Sequence, residues 1–219
     1  MKSKNITLKL IILLLISTEL LSNTIVFDFE NTSIGKIPSN WIMDETNPRK
    51  PLGTWRVIQD KSAPSGEKVL NLTKAKSSYG STFNLCYNKK INFLNGEISV
   101  KFKAKSGVID QGGGIMWRVQ DGDNYYVARF NPLEDNFRFY VVKNGRRDLI
   151  ESTNIKLKKD SWNSMKIIQN GNHFEGYINN KKVLESKDDR CSKSGGVGLW
   201  TKADALSSFD DFIIKVDSK

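Results

Sequence analysis

Cysteine and histidine are scarce in this chain, and their scarcity excludes several classes of protein. Two cysteines and one histidine among 219 residues cannot build a disulfide scaffold, a cysteine-rich zinc site or a site with two or three histidine ligands. No Gly-x-Ser-x-Gly turn accompanies the single histidine, His173, so a Ser-His-Asp triad is a poor fit as well. Apolar residues make up 38% of the sequence, and their spread along the chain favours a folded domain over disorder.

Long apolar runs are also scarce, and the most apolar segment lies at the N-terminus. Three lysines precede the run at 10–16, and small polar residues follow it at 22–23, which is typical of a secretory signal peptide. The wider apolar stretch 10–21 is short and is interrupted by Ser17, Thr18 and Glu19, which disfavours a membrane span. We predict a signal peptide over 1–22, a single domain over 23–219 without a transmembrane segment, and export to the periplasm or the exterior. A retained N-terminal anchor is the alternative.

Export would permit a disulfide between the two cysteines, Cys86 and Cys191. Their separation in the sequence does not show whether their Cα atoms come within bonding distance. Pairing and two free thiols both remain open at this stage.

The mature chain has the pattern of an all-β protein. Short runs of Val, Ile, Phe, Tyr and Trp alternate with period two and are bounded by Gly, Asn, Asp and Pro, which favours a two-layer antiparallel sandwich. Fourteen strands are predicted, over 25–29, 54–59, 68–72, 82–87, 97–104, 114–120, 125–131, 137–143, 148–152, 164–169, 173–178, 182–185, 197–201 and 208–216. The proline-containing segment 31–53 shows little periodicity and is predicted to be a long covering loop.

Alternation assigns the side chains of four strands to opposite faces. The set predicted to point into the core comprises Ile115, Trp117, Val119, Tyr126, Ala128, Phe130, Phe137, Phe139, Val141, Val197, Leu199 and Thr201. If these strands are neighbours, the other face carries aromatic rings and cations together: Arg118, Tyr125, Arg129, Arg138, Tyr140, Trp200 and Lys202.

That second face suits a polyhydroxylated or carboxylated ligand, because aromatic rings stack on the C–H surface of a sugar and arginine donates in a fork. We therefore predict glycan-binding residues at Arg118, Tyr125, Arg129, Tyr140, Trp200 and Lys202. The alternative is that the rings are ordinary cross-strand pairs that shield the sheet beneath arginine side chains.

Several segments of the chain resemble a known family. They are Trp117–Asp121, Asn124–Asn131, Leu133–Asn136, Asn144–Arg147, Ser161–Asn163, Gly195–Asp204 and Phe209–Phe212. Together they are similar to a secreted bacterial branch of the concanavalin A-like lectin/glucanase superfamily that borders the 3-keto-disaccharide hydrolase-like domains. The resemblance runs over 27–216 and implies a two-sheet antiparallel jelly roll with a concave, sugar-accommodating face. It does not imply an established activity.

The carboxylates that the resembled enzymes use are missing. Where the hydrolase-like domains usually carry an inward Glu and Gln, this chain has Tyr125–Arg129, and the Glu-x-Asp-x-x-Glu strand of the retaining glucanases is absent from the sequence. The remaining candidates for an acid or base are Asp121, Glu134 and Asp204. Neighbouring arginines would hold such a carboxylate ionised and favour a base over a proton donor. The alternative is that these acids only stabilise loops and hairpins.

Acids near both ends of the mature chain could supply hard oxygen ligands for calcium if those ends pair. They are Asp28, Glu30, Asp210 and Asp211. Many sandwiches of the resembled superfamily carry calcium in that region. The alternative is a group of exposed acids that balances a basic surface. No other cofactor is expected.

The chain has a net charge of +10, and loss of three lysines and one glutamate with the signal peptide leaves about +8. Its lysines are scattered without a recognition motif, so we expect no nucleic-acid partner. A basic exported protein fits a polysaccharide or glycoconjugate, including an anionic one, although the charge also fits solubility alone. The leading hypothesis is an exported module that holds a glycan without cleaving it. The alternatives are a glycoside or 3-keto-glycoside hydrolase and a structural envelope protein.

Overall fold

A computed structural model describes residues 23–48, 52–75 and 81–217. The predicted signal peptide at 1–22 lies outside the described residues. Within those ranges no helix has the length and apolar character needed to cross a membrane. The described residues form fifteen strands: β1 (Asn23–Phe27), β2 (Trp41–Thr46), β3 (Thr54–Gln59), β4 (Lys68–Lys74), β5 (Phe83–Phe93), β6 (Gly96–Ser106), β7 (Gly113–Asp121), β8 (Asn124–Asn131), β9 (Asn136–Lys143), β10 (Arg146–Asn154), β11 (Asn163–Asn170), β12 (His173–Ile178), β13 (Lys181–Lys187), β14 (Gly195–Lys202) and β15 (Leu206–Val216).

The strands form two antiparallel sheets. Sheet A has eight strands in the order β13-β12-β11-β6-β15-β4-β3, with β1 paired to β15, and sheet B has seven in the order β10-β9-β8-β7-β14-β5-β2. Apolar side chains from both sheets form one continuous buried cluster between the two layers. The predicted all-β, two-sheet antiparallel jelly-roll sandwich is confirmed.

All fourteen predicted strands are present, twelve of them with shifted ends, but the prediction for the segment 31–53 is wrong. This segment contains β2, which pairs along β5 from Trp41 opposite Asn88 to Thr46 opposite Phe83. The three prolines all lie outside β2, so they do not interrupt its ladder. The strand was missed because its second half, Asp-Glu-Thr at 44–46, is polar and gives no apolar alternation. Glu45 and Thr46 are nevertheless buried.

The predicted inward orientation of Trp117 and Leu199 is confirmed, since both belong to the cluster between the sheets. The Trp117 ring packs edge to face on Phe139 and Phe174, and its Nε1–H donates to Gln169 Oε1 at 2.7 Å. The alternation fails immediately after Trp117, because the pairing of β7 with β8 shifts register between Trp117 and Asp121. Val119 consequently lies in a second cluster on the outside of sheet B, not in the main core.

Candidate functional site

The outer face of sheet B carries a second buried cluster, separate from the main core. Its members are Phe83, Leu85, Tyr87, Met116, Val119, Tyr125, Val127, Tyr140, Val142 and Trp200. At its centre Trp200 Nε1–H donates to the Tyr125 hydroxyl at 3.1 Å, and that hydroxyl lies 2.7 Å from Thr46 Oγ1. Gly114 pairs with Trp200 on one side and Arg129 on the other, so no side chain separates the indole from the arginine.

Tyr125 and Trp200 lie on the predicted face, but neither side chain has exposed surface. The Trp200 ring packs on Phe83 at 5.1 Å between centroids, and the Arg147 guanidinium covers it at 5.7 Å. A sugar ring therefore cannot stack on these two residues as the sequence suggested. Their hydrogen bonds and packing give them a structural role in this arrangement.

Arg118 does not share the face with Trp200, so its predicted position is wrong. It has a φ of 51° in the β7 bulge, which turns its side chain toward the loops at the end of the sandwich. Its guanidinium donates to the carbonyls of Leu94, Gly171 and Cys191 at 2.6–3.1 Å. Burial lowers the pKa of Arg118. The residue ties three loops together at a distance from the predicted glycan surface.

Three arginines surround Tyr140 at the other part of the outer face. Arg129 Nη2 and Arg138 Nη1 each donate to the Tyr140 hydroxyl at 3.3 Å, and the Arg147 Cζ lies 4.2 Å from the centre of its ring. We call Arg129, Arg138, Arg147 and the adjacent Lys202 the arginine cluster. The sequence predicted Arg129, Tyr140 and Lys202 as glycan-binding residues and placed Arg138 on the same face. The sheet brings these residues together, as the alternation of side chains predicted.

Two carboxylates belong to this cluster. Glu134 Oε2 accepts from Arg138 at 3.0 Å, from Arg129 at 3.4 Å and from Asn136 Nδ2 at 2.9 Å. Burial alone would raise the pKa of Glu134, but the Asn136 hydrogen bond and the charges of the two arginines outweigh it and lower that pKa below its usual range. Glu134 is therefore held as a carboxylate.

The second carboxylate, Asp110, was not singled out in the sequence. It is buried in the loop before β7, and its Oδ2 lies 2.8 Å from Lys202 Nζ while its Oδ1 accepts from Asn131 Nδ2 at 3.1 Å. Nothing in the local pattern distinguishes Asp110 from an ordinary loop acid. Its position in the cluster depends on the pairing of β7 with β8 and β14, which brings Asn131 and Lys202 next to it.

Arg147 was also missed as a site residue, although the sequence contained a signal for it. The turn Asn144-Gly145, with both residues at positive φ, is typical of a two-residue hairpin turn and sets the pairing of β9 with β10. That register places Arg147 opposite Val142, which puts its side chain on the same face as Tyr140. The turn chemistry therefore predicts the orientation of Arg147.

The other two candidates for an acid or base hold backbone in place. Asp121 Oδ1 accepts from the N–H of Asp123 and from Asn124 Nδ2, both at 2.8 Å, inside the β7–β8 turn. Asp204 accepts three consecutive backbone N–H groups at 2.7–3.0 Å, those of residues 108–110. Of the three candidates, the structure brings only Glu134 into the arginine cluster.

Three of the four acids considered for calcium, Glu30, Asp210 and Asp211, contact residues 65–68, beside β15, whereas Asp28 Oδ1 accepts from the Glu30 N–H at 3.1 Å. Asp210 Oδ2 accepts from the Ser65 N–H at 3.0 Å, Asp211 Oδ1 from the Ser65 hydroxyl at 2.8 Å, and Glu30 Oε1 from the Lys68 N–H at 2.7 Å. The Lys68 ammonium donates to the Glu30 carbonyl at 2.6 Å. In this arrangement the carboxylates accept hydrogen bonds from the segment 65–68, which accounts for their proximity without an ion. Calcium binding there stays a prediction for metal titration to test.

Both cysteines are free thiols. Cys86 lies in β5 opposite Leu199, within the main core, and burial raises its pKa. Cys191 lies in the loop before β14, where its N–H donates to the Tyr126 hydroxyl at 2.9 Å. The structure therefore gives the unpaired alternative, in which both thiols are buried.

The fold is that of the concanavalin A-like lectin/glucanase class. Residues 35–215 match the model of the 3-keto-alpha-glucoside-1,2-lyase-like domain, and the chain belongs to that family. The resemblance to the 3-keto-disaccharide hydrolase-like domains that the sequence segments indicated is thereby confirmed.

Solved structures with the same fold include carbohydrate-active proteins. The carbohydrate binding module CBM66 from Bacillus subtilis has a TM-score of 0.61 and 18% identity, with 80% of this chain and 95% of that chain covered. The β-glucanase of Bacillus licheniformis has a TM-score of 0.59 and 12% identity over 89% of this chain and 98% of its own. The cellulose induced protein Cip1 has a TM-score of 0.61 and 13% identity over 86% and 96%. A search of curated protein sequences found no match.

Proposed function

We propose that the protein binds a glycan at the arginine cluster and does not cleave it. The observation that carries the proposal is the convergence of three guanidinium groups on Tyr140, at the outer face of sheet B. Arginine forks donate to vicinal hydroxyls or to a carboxylate, and the Arg138 side chain keeps 31% of its surface exposed there. The shared fold with a carbohydrate binding module supports the same class of ligand.

The state of the acids supports binding over cleavage. Glycoside hydrolysis by two carboxyl groups needs one of them protonated to donate to the leaving group. Glu134 lies between Arg129 and Arg138, which stabilise its ionised form, and Asp110 is paired with Lys202. The cluster therefore holds anions in place and offers no evident proton donor. We place this function outside the cytoplasm, because the sequence predicts a signal peptide over residues 1–22.

Replacing Arg138 by alanine tests the binding proposal. We expect glycan affinity to fall about tenfold, because a charged hydrogen-bond donor is lost from the open side of the cluster. Isothermal titration against a glycan found on an array measures the change. Lys166→Ala, on the outer face of sheet A, is the matched control and should bind like the wild type. Unchanged affinity in Arg138→Ala would place the binding surface elsewhere, and no glycan-induced rise in melting temperature would favour a structural envelope protein.

The second candidate function is hydrolysis or elimination at a glycoside, with Glu134 as base or nucleophile. The observation that favours it is the lowered pKa of Glu134 together with its 40% exposed side chain. The binding proposal predicts no product from panels of 3-keto-glycosides and polysaccharides. If product forms and Glu134→Gln abolishes it while glycan affinity persists, the protein is an enzyme and the non-cleaving proposal is wrong.

A further inference from the structure

We infer that the glycan carries a carboxylate, as a uronic acid does, and that this group binds beside Arg147. The inference rests on the proposed function of the arginine cluster and names the class of sugar that the cluster selects.

The charges of the cluster do not balance. Four cations, Arg129, Arg138, Arg147 and Lys202, face two carboxylates, those of Glu134 and Asp110, which leaves two positive charges in excess. Glu134 is shared by Arg129 and Arg138, and Asp110 is taken by Lys202. In the part of the chain that the structure describes, Arg147 has no carboxylate oxygen within 4.0 Å.

The unbalanced charge is also largely shielded from water. Arg129 has no exposed surface, and burial lowers the pKa of Arg147. Repulsion from Arg129 also lowers the pKa of Arg147, whereas Tyr140 and Asp110 raise it without overcoming the effect of burial. Cations removed from water without a partner are costly, so a bound anion would stabilise this arrangement. A neutral sugar would leave the imbalance in place.

Two N–H groups of the cluster point at no acceptor among the described residues. They are Arg129 Nε and Arg147 Nη1, and both atoms are buried. A buried donor without an acceptor costs free energy, and native proteins rarely leave such donors unpaired without a reason. Their presence at the same cluster as the excess charge indicates a ligand that supplies acceptor oxygens and negative charge together.

The shape of the Arg147 side chain favours a planar anion. Its guanidinium carbon lies 4.2 Å from the centre of the Tyr140 ring and 4.9 Å from that of Phe83, so aromatic rings hold the planar fork in place. A carboxylate presents two oxygens in one plane and matches that fork through two parallel hydrogen bonds. Arg138, half-buried at the open side, supplies the approach from solvent.

The test compares oligomers of four uronic acids, galacturonate, glucuronate, mannuronate and guluronate, with their methyl esters. The ester keeps the sugar and its hydroxyls but removes the charge. We expect at least one free acid to bind, its methyl ester to bind about tenfold more weakly, and added salt to weaken only the free acid. Titration calorimetry with the full mature chain measures all three.

The variant Arg147→Gln should weaken binding of the free acid about tenfold and weaken binding of the ester much less, because only the acid pairs its charge with the guanidinium. Arg146→Gln is the matched control, since Arg146 directly precedes Arg147 on β10, has a side chain that is 82% exposed and pairs with Asp148. If Arg147→Gln fails to fold, Arg147→Lys serves in its place, because it keeps the charge at that position and loses the fork. Circular dichroism melting of each variant separates folding from binding.

The outcomes separate this inference from the proposed function. Equal affinity for acid and ester, or binding of neutral oligosaccharides alone, overturns the carboxylate while glycan binding stands. Equal or tighter binding of a sulfated oligosaccharide overturns the preference for a planar anion. Failure of every acid, ester and neutral oligosaccharide to bind overturns both.

Discussion

Replacing Trp200 by alanine lowers the free energy of unfolding by about 4 kcal/mol, because truncation of a fully buried tryptophan removes apolar contacts and leaves a cavity. The indole has no exposed surface, packs on Phe83 and donates to the Tyr125 hydroxyl. The milder Trp200→Phe keeps most of the packing and loses the hydrogen bond, at a cost of about 1 kcal/mol. Urea unfolding followed by circular dichroism measures both.

Trp162→Ala is the control for Trp200→Ala. Trp162 is only partly buried, and its Nε1–H donates to the Ser62 hydroxyl at 3.2 Å near the surface, so its truncation should destabilise far less. The contradicting result is a Trp200→Ala protein with the stability of the wild type and a lost affinity for glycan. That pair of results would show the indole to be a binding surface and not a packed interior residue.

The strands and the main core follow from the sequence because alternation is a local property. Trp117, Tyr126, Phe139 and Leu199 each occupy the core face that their parity predicts. Antiparallel sheets keep that parity wherever the ladder is regular, since successive side chains point to opposite faces. The two-sheet architecture then follows from the number and spacing of the strands.

A bulge is where this reasoning fails. One extra residue in a strand reverses the parity of all that follows, and nothing in Trp117-Arg118-Val119 marks it in advance. Arg118 adopts a positive φ although it is not glycine or asparagine. Its three carbonyl acceptors come from loops far apart in sequence, which no local pattern encodes.

The burial of the aromatic face could not be predicted for a related reason. Tyr125 and Trp200 lie on the expected side, but whether a side is open depends on what packs over it. Here Thr46 contacts the Tyr125 hydroxyl, and the Arg147 guanidinium lies over the Trp200 ring. Thr46 is on β2 and Arg147 is on β10, the two opposite edge strands of sheet B. The sequence therefore predicted which residues lie on the outer face of sheet B, but it did not predict that Tyr125 and Trp200 are buried there.

Arg118→Met is expected to lower the free energy of unfolding by about 3 kcal/mol, because buried carbonyls lose charged hydrogen-bond donors. Removal of a desolvated cation offsets part of the loss, so the net effect is smaller than the sum of the broken bonds. Arg118→Lys should recover only part of the stability, since an ammonium cannot reach the separate acceptors that the guanidinium does. Chemical denaturation gives both values.

Hydrogen exchange locates the effect of Arg118→Met. If the guanidinium ties the loops together, amide exchange should quicken at residues 94–95, 171 and 191 and stay unchanged at Tyr140, in the arginine cluster, because opening would be local to the loops that lose their shared donor. Arg56→Met, at an exposed position on β3, controls for loss of a positive charge. Wild-type stability in Arg118→Met would mean that the three loops hold their positions without the guanidinium, and Arg118 would then be free to serve a ligand at that end of the sandwich.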